Sequence, residues 1–386
     1  MKLIKKILLW ITGLIIIVNL IVVVSGNAYV YKAMIYQYAG IDDYNLFENR
    51  VVKAGKHIPI PNAVCYNKIN LSDEFRKYLL ESGTIALLVL KNDSVYYEEY
   101  WDGHDSSTIS NSFSVAKSIV SILIGIAIDE GKIKSVDQKV SDFIPEYAGG
   151  LNEQLSIKHL LTMSAGFDWC EEYESLFGQT TKAYYGRNLK KILLQLKVIN
   201  TPGKTFVYQS SNQLVLAYIL EKVTGMKLSE YASEKLWKPL GAKNDALWSL
   251  DKKEGFEKAF CCFNSNARDF SRIGLLYLHG GVYNGQRIIS EEYVEESFEP
   301  ASLVDENGNK FEHYGYSWWL STIENKTFYL ARGILGQYIM IFPDENMVSV
   351  RLGKESPEKN GLSACDYIAM HILKEFGNIG YVSDNK

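Results

Sequence analysis

Residues 114–128 read Ser-Val-Ala-Lys-Ser-Ile-Val-Ser-Ile-Leu-Ile-Gly-Ile-Ala-Ile, and Gly131 follows as a stop. Wound as a helix, this stretch is apolar on every side and is therefore a buried core helix, which obliges the chain to pack several elements around it. A lysine in the first turn of such a helix needs a reason. Either Lys117 snorkels its amine past the helix end, or the amine is used. At i and i+3, Ser114 and Lys117 share one face within hydrogen-bond reach. A serine hydroxyl is a poor nucleophile at neutral pH and needs a base. Burial disfavours the ammonium, lowering a lysine pKa from about 10.4 by up to several units. The helix N-terminus adds partial positive charge and free N–H groups that favour an oxyanion.

The Ser-x-x-Lys spacing alone is weak, because it recurs at Ser249/Lys252, Ser356/Lys359 and Ser383/Lys386. Those three lie in polar, proline-bearing or terminal segments where both residues read as solvated. Only Ser114 opens a buried helix.

Upstream of it, 84–90 (TIALLVL) and 95–100 (VYYEEY) flank Lys-Asn-Asp-Ser and read as a β-hairpin. Far downstream, 316–320, 327–331, 337–342 and 347–352 read as further strands. Between the two groups the pattern predicts helices over 157–163, 188–196, 213–224 and 267–279, with a terminal helix over 362–376. The order hairpin, helices, sheet, helix predicts an α/β (α+β) fold, an antiparallel sheet flanked by helices with a helical lobe inserted at about 118–300. One domain is expected over 83–386. Residues 29–82 read as a linker and lead-in.

Lys2, Lys5 and Lys6 precede an uncharged run, 7–24, interrupted only by Thr12, Gly13 and Asn19. At 1.5 Å per residue it spans about 27 Å, close to the hydrocarbon thickness of a bilayer. The lysines stay cytoplasmic and the rest is exported. Residues 1–28 therefore read as a membrane anchor, with cleavage of a signal segment after Ala28 as the competing reading.

With 41 Lys and Arg against 45 Asp and Glu, interspersed along the chain, there is no basic footprint for nucleic acid. Six histidines form no ligand pair, so neither a metal nor another cofactor is expected. Cys65, Cys170, Cys261, Cys262 and Cys365 are too few for a disulfide framework, although one bridge is possible. Oligomeric state is not legible.

Two further elements carry chemistry. In Pro202-Gly-Lys-Thr-Phe-Val-Tyr-Gln-Ser-Ser-Asn212, the residues Tyr208, Ser210 and Asn212 are spaced to project from one loop. A tyrosine beside a lysine can share its proton, whereas the plain reading makes the segment a helix N-cap with a packed tyrosine. Ala331-Arg-Gly-Ile-Leu-Gly-Gln337 is a glycine-bearing turn entering a strand, where Gly333 and Gly336 would allow close approach to the backbone or simply form a bulge.

The ordered set Phe113-Ser-Val-Ala-Lys-Ser118, 126–133 (IAIDEGKI), His159-Leu-Leu-Thr-Met-Ser-Ala-Gly166, the Tyr208 loop and Gly336-Gln337 resembles the β-lactamase-related serine hydrolase superfamily over roughly 84–376. Within it the chain is similar to the branch holding class C β-lactamases, D-aminopeptidases, family VIII esterases and the 6-aminohexanoate-dimer hydrolases, particularly the last. The resemblance implies a β-lactamase/transpeptidase-like fold and hydrolysis of small amides or esters, peptide-like substrates included. It also implies Ser114 as the acylated nucleophile, Lys117 as its base, Tyr208 as proton shuttle and Ser210 as a polar neighbour. The implied oxyanion hole uses the backbone N–H of Ser114 and of a residue near Ile334. Two departures stand out. The family's Lys-Thr-Gly aligns with Ala331-Arg332-Gly333, without the cation that holds a carboxylate, and the Tyr-x-Asn of class C enzymes reads Tyr-Gln-Ser unless Asn212 reaches inward. The alternatives are a penicillin-binding, D,D-peptidase or β-lactamase-like protein, and a non-catalytic envelope binding protein of the same fold. No Gly-x-Ser-x-Gly occurs, which excludes an α/β-hydrolase.

Overall fold

The computed structural model describes residues 1–377. Ser383 and Lys386, one of the four Ser-x-x-Lys matches, lie outside them.

Its centre is a six-stranded antiparallel sheet in the order Trp319–Ile323, Lys326–Gly333, Gln337–Phe342, Met347–Gly353, Thr84–Lys91, Ser94–Tyr100. The first hairpin thus pairs with the last strand, Met347 opposite Lys91 and Val350 opposite Leu88. Asn92 and Asp93 both take positive φ in the hairpin turn, which is what a tight two-residue connection between right-twisted strands requires. The antiparallel sheet flanked by helices is the fold the sequence predicts.

Two apolar layers sandwich the sheet. On one face, Asp73–Glu81 and the terminal helix Ala364–Ile372 enclose a core that includes Phe75, Leu87, Tyr338 and Ile368. On the other lie Ala267–Leu278 and the largely apolar helix Val115–Asp129, thirteen of whose residues are buried. The latter also packs against Ser211–Thr224, so it belongs to the sheet and to the helical lobe at once.

The first strand after the lobe begins at Trp319, three residues later than the expected 316, because Ser317 takes φ +62° and breaks the extended run. A second, four-stranded sheet, which the sequence pattern does not predict, joins Asn49–Val52, Ala246–Ser249, Phe263–Ser265 and Ser110–Asn111. These strands are two to four residues long, too short for a period-2 pattern to register. Residues 29–82 carry more structure than a linker implies. Their strand 49–52 completes this sheet, and the helix Tyr29–Tyr36 packs on the helix Gln179–Tyr185. Tyr184 donates to Asp43 at 2.7 Å, pinning that segment to the lobe.

Candidate active site

The chain enters the buried helix through Phe113, whose φ of +46° is a conformation non-glycine residues rarely hold. The Asn111 side chain supports the turn by accepting from the Phe113 N–H at 2.9 Å. Ser114 emerges as the N-cap, partly exposed to a cavity between the lobes. Its N–H has no hydrogen-bond acceptor among the described residues.

One turn on, the Lys117 amine donates to Ser114 Oγ at 2.8 Å and to the Phe260 carbonyl at 2.9 Å. It does not snorkel: Lys117 is 1% exposed. Burial pulls its pKa from the ordinary lysine value down to about 8, with the Glu171 carboxylate acting in the opposite sense. The Tyr208 ring lies beneath the amine, 5.0 Å from ring centroid to Nζ. Burial raises the Tyr208 pKa, the neighbouring Ser114 hydroxyl pulls it back, Glu171 raises it and Arg332 lowers it. Ser114, Lys117 and Tyr208 therefore meet at one point, although Tyr208 lies 91 residues beyond Lys117 in the chain.

Glu171 is the site residue that sequence reasoning missed. It accepts from the Ser210 N–H at 2.7 Å, the Ser210 hydroxyl at 2.6 Å, the Trp169 indole at 2.7 Å and the Tyr173 hydroxyl at 2.9 Å. It sits in the acidic run Glu171-Glu-Tyr-Glu174, which reads as a solvated loop; only the fold folds it over the Tyr208 segment. Ser210 consequently spends its hydroxyl on Glu171 while still lining the cavity. Asn212 does not reach inward. It is fully buried, and its amide donates to the Gln209 carbonyl at 3.0 Å and to Met163 Sδ at 3.3 Å, in keeping with its place in the first turn of the following helix.

Opposite Ser114, the strand Lys326–Gly333 ends in a tight turn. A Cβ on Gly333 would lie 2.3 Å from the Ser112 carbonyl, so only glycine lets this strand end press against the entry to the buried helix. Ile334 and Leu335 line the same cavity as Ser114. Gly336 does not; it is buried with φ +82° against the Arg351 guanidinium, which accepts its position by donating to the Gly336 carbonyl at 2.9 Å. Ala331 is fully buried and carries no charge to the cleft. Arg332 alternates to the other side, and its guanidinium sits 5.7 Å above the Trp319 ring, which in turn lies 5.6 Å from the Tyr208 ring.

One disulfide joins Cys261, which lines the cavity directly after the carbonyl that receives Lys117, to the adjacent, fully buried Cys262; Cys65, Cys170 and Cys365 are free.

A sheet-and-helix domain with serine and lysine one turn apart at the head of a buried helix is the architecture of β-lactamase-type hydrolases. The chain belongs to the beta-lactamase family, whose model matches residues 75–369. It is 31% identical to the 6-aminohexanoate-dimer hydrolase of Paenarthrobacter ureafaciens over 296 residues, 72% of this chain and 74% of that protein. Among solved structures, a candidate 6-aminohexanoate-dimer hydrolase from Bacillus anthracis superposes with TM-score 0.76 at 21% identity, covering 87% of this chain and 92% of that one. A family VIII carboxylesterase superposes with TM-score 0.65 at 16% identity over 82% and 98% of the two chains. At these identities the superpositions speak for the fold alone. The chain is a hydrolase of this superfamily.

Proposed function

We propose that the protein is a serine hydrolase that cleaves small neutral amides or esters through an acyl-enzyme on Ser114, at the outer face of a membrane. The observation that carries this is the 2.8 Å hydrogen bond from a fully enclosed Lys117 amine to Ser114 Oγ. A lysine lowered to about 8 is neutral in an appreciable fraction near neutral pH and can accept the hydroxyl proton. Ser114 Oγ then bonds to the acyl carbon and the carbonyl becomes an oxyanion, which the free Ser114 N–H and the backbone near Ile334 stabilise. As the scissile C–O or C–N bond breaks, the leaving group takes the proton held by Lys117, relayed through Tyr208. Water enters by the same route in reverse, and releases the acid and free Ser114.

The neutral-substrate preference follows from Ala331. A cleft that holds a carboxylate needs a fixed cation, since an unpaired buried charge is strongly disfavoured. The relative that acts on the 6-aminohexanoate dimer supports an amide as substrate. The second reading, a binder of penicillins or peptides, is favoured by one observation: the Arg332 charge reaches Tyr208 and could stand in for the missing lysine. A non-catalytic binding protein would have no use for a desolvated amine, which costs stability wherever it is not needed.

Outer-face placement rests on the helix Lys2–Val24, whose uncharged stretch 7–24 is long and apolar enough to cross a bilayer and which is buried nowhere against the rest of the chain. Incubation with a fluorophosphonate probe, followed by p-nitrophenyl esters, D-aminoacyl amides, the 6-aminohexanoate dimer and nitrocefin, tests the proposal. The adduct is expected on the Ser114 peptide and turnover on esters or amides. Labelling at Ser249 or Ser356, or no labelling, overturns it.

A further inference from the structure

The cavity holding Ser114 is walled partly by the segment that leaves the membrane-length helix. Ala33, Gln37, Tyr38 and Ala39 line it together with Tyr173 and Leu176 of the helical lobe. Its volume is about 170 Å³, and most of its lining is aromatic or aliphatic. Among the described residues no lysine or arginine lines it, and Glu174 is the one carboxylate in its lining.

The tether is short. Eight residues separate Val24, the last of the apolar helix, from Ala33. Four linking residues and one helical turn reach no farther than about 25 Å. Ser25 and Asn27 N–H groups bond back to the Ile21 and Val22 carbonyls, which shortens the link further. The cavity wall is therefore held at the membrane surface by the chain itself. Among the residues that line it, Tyr38, Tyr173 and Leu176 are 78, 51 and 41% exposed, and their chain neighbours Ile35 and Phe177 are 73 and 67% exposed. Exposed large apolar side chains along one cavity wall mark an interaction surface, and the membrane-length helix, which ends at Val24 just before this segment, says which one.

We infer that the substrate is a membrane amphiphile: an ester or amide bearing an apolar chain, which enters the Ser114 cavity from the outer leaflet while the exposed rim rests in the interfacial layer. The chain occupies the wall between Ala33 and Leu176, and the scissile carbonyl stops at Ser114. This rests on the proposal that Ser114 is the nucleophile and that the N-terminal helix is retained.

The test uses the full-length chain in phosphatidylcholine vesicles. Two ester series are assayed, p-nitrophenyl butyrate to decanoate with the chain on the acyl side, and alkyl thioacetates of matching length with the chain on the leaving group. Each methylene moved from water into the cavity favours binding roughly fourfold at most, so kcat/KM in one series should rise at least about tenfold from four carbons to eight. Leu176→Arg, at a half-exposed position, should bring that ratio below about threefold. In addition, 4-methylumbelliferyl palmitate should be hydrolysed at least about tenfold faster in the protein's own vesicles than in a separate vesicle population. Flat profiles in both series with Ser114 still labelled by the fluorophosphonate overturn this inference and leave the hydrolase proposal standing. Equal rates from shared and separate vesicles overturn delivery through the membrane. No turnover and no labelling overturn the hydrolase proposal and this inference with it.

Discussion

The Lys117 amine is 2.8 Å from Ser114 Oγ, and its only other hydrogen bond among the described residues is to the Phe260 carbonyl at 2.9 Å. No carboxylate is bonded to it. An amine held between a hydroxyl and a carbonyl loses its hydration without gaining a counter-ion, which is the condition under which a lysine becomes a base.

The pH dependence follows directly. In the proposed reaction Lys117 acts when neutral, so kcat/KM should rise tenfold per pH unit below about 8 and level off above it. Lys117→Met should lower kcat/KM by at least about 10³ while the protein still folds, as circular dichroism would show. The same burial works against stability below that pH. The folded pKa lies under the unfolded value, so the unfolded chain binds more protons between about 8 and 10.5, and this lysine's contribution to stability rises with pH across that window. At pH 7 Lys117→Met should therefore raise Tm by a few degrees, measurable by calorimetry.

Glu171 favours the Lys117 cation, so Glu171→Gln should move the rising limb of the pH profile to lower pH. The same change weakens the grip on the Ser210 N–H and hydroxyl and should raise KM. A limb that stays in place would mean that Glu171 acts only by holding the loop.

Tyr208→Phe keeps the ring beneath the Lys117 amine and removes the hydroxyl next to Ser114. Loss of the proposed proton relay should lower kcat on amides by about 10²-fold or more, and on p-nitrophenyl esters by less, since p-nitrophenolate leaves without a proton. Equal losses on both would reduce Tyr208 to packing.

Short-chain ester or amide hydrolysis should exceed nitrocefin hydrolysis by at least about a hundredfold in kcat/KM, the ~3 kcal/mol that one charge-assisted contact contributes. Ala331→Lys should narrow the gap, although Ala331 is fully buried and the longer side chain must find its way along the cleft. Comparable rates in the unsubstituted protein would mean that Arg332 already fills the role.

Fractionation should recover the chain with membranes, bearing its original N-terminus. Release with a new N-terminus at Tyr29 would make 1–28 a cleaved signal segment and would detach the helix Tyr29–Tyr36 from the bilayer.

The buried helix, the hairpin that opens the sheet and the strands that close it were legible in the amino-acid order, because each depends on a local period or a turn residue: the apolar run that follows Lys117, the Asn92-Asp93 turn, Gly131 as a stop. Ser114 and Lys117 were legible for the same reason, since one helical turn joins them. What only the tertiary structure decided lies where contacts are long in sequence. Glu171 reaches Ser210 across 39 residues, and neither neighbourhood carries a mark of the other. Asn212 sits at a promising spacing from Tyr208, yet the packing of its helix turns it towards Met163 and the core. The strands 49–52 and 246–249 are too short to show a pattern and form only because folding brings them together. Sequence order alone holds 33–39 beside the membrane-length helix; their place on the wall of the Ser114 cavity is set by a helix packing on 179–185, well over a hundred residues away. Local periodicity encodes which elements form and which faces are apolar, whereas the meeting of distant side chains is encoded in no stretch of the chain and appears only when the elements are packed.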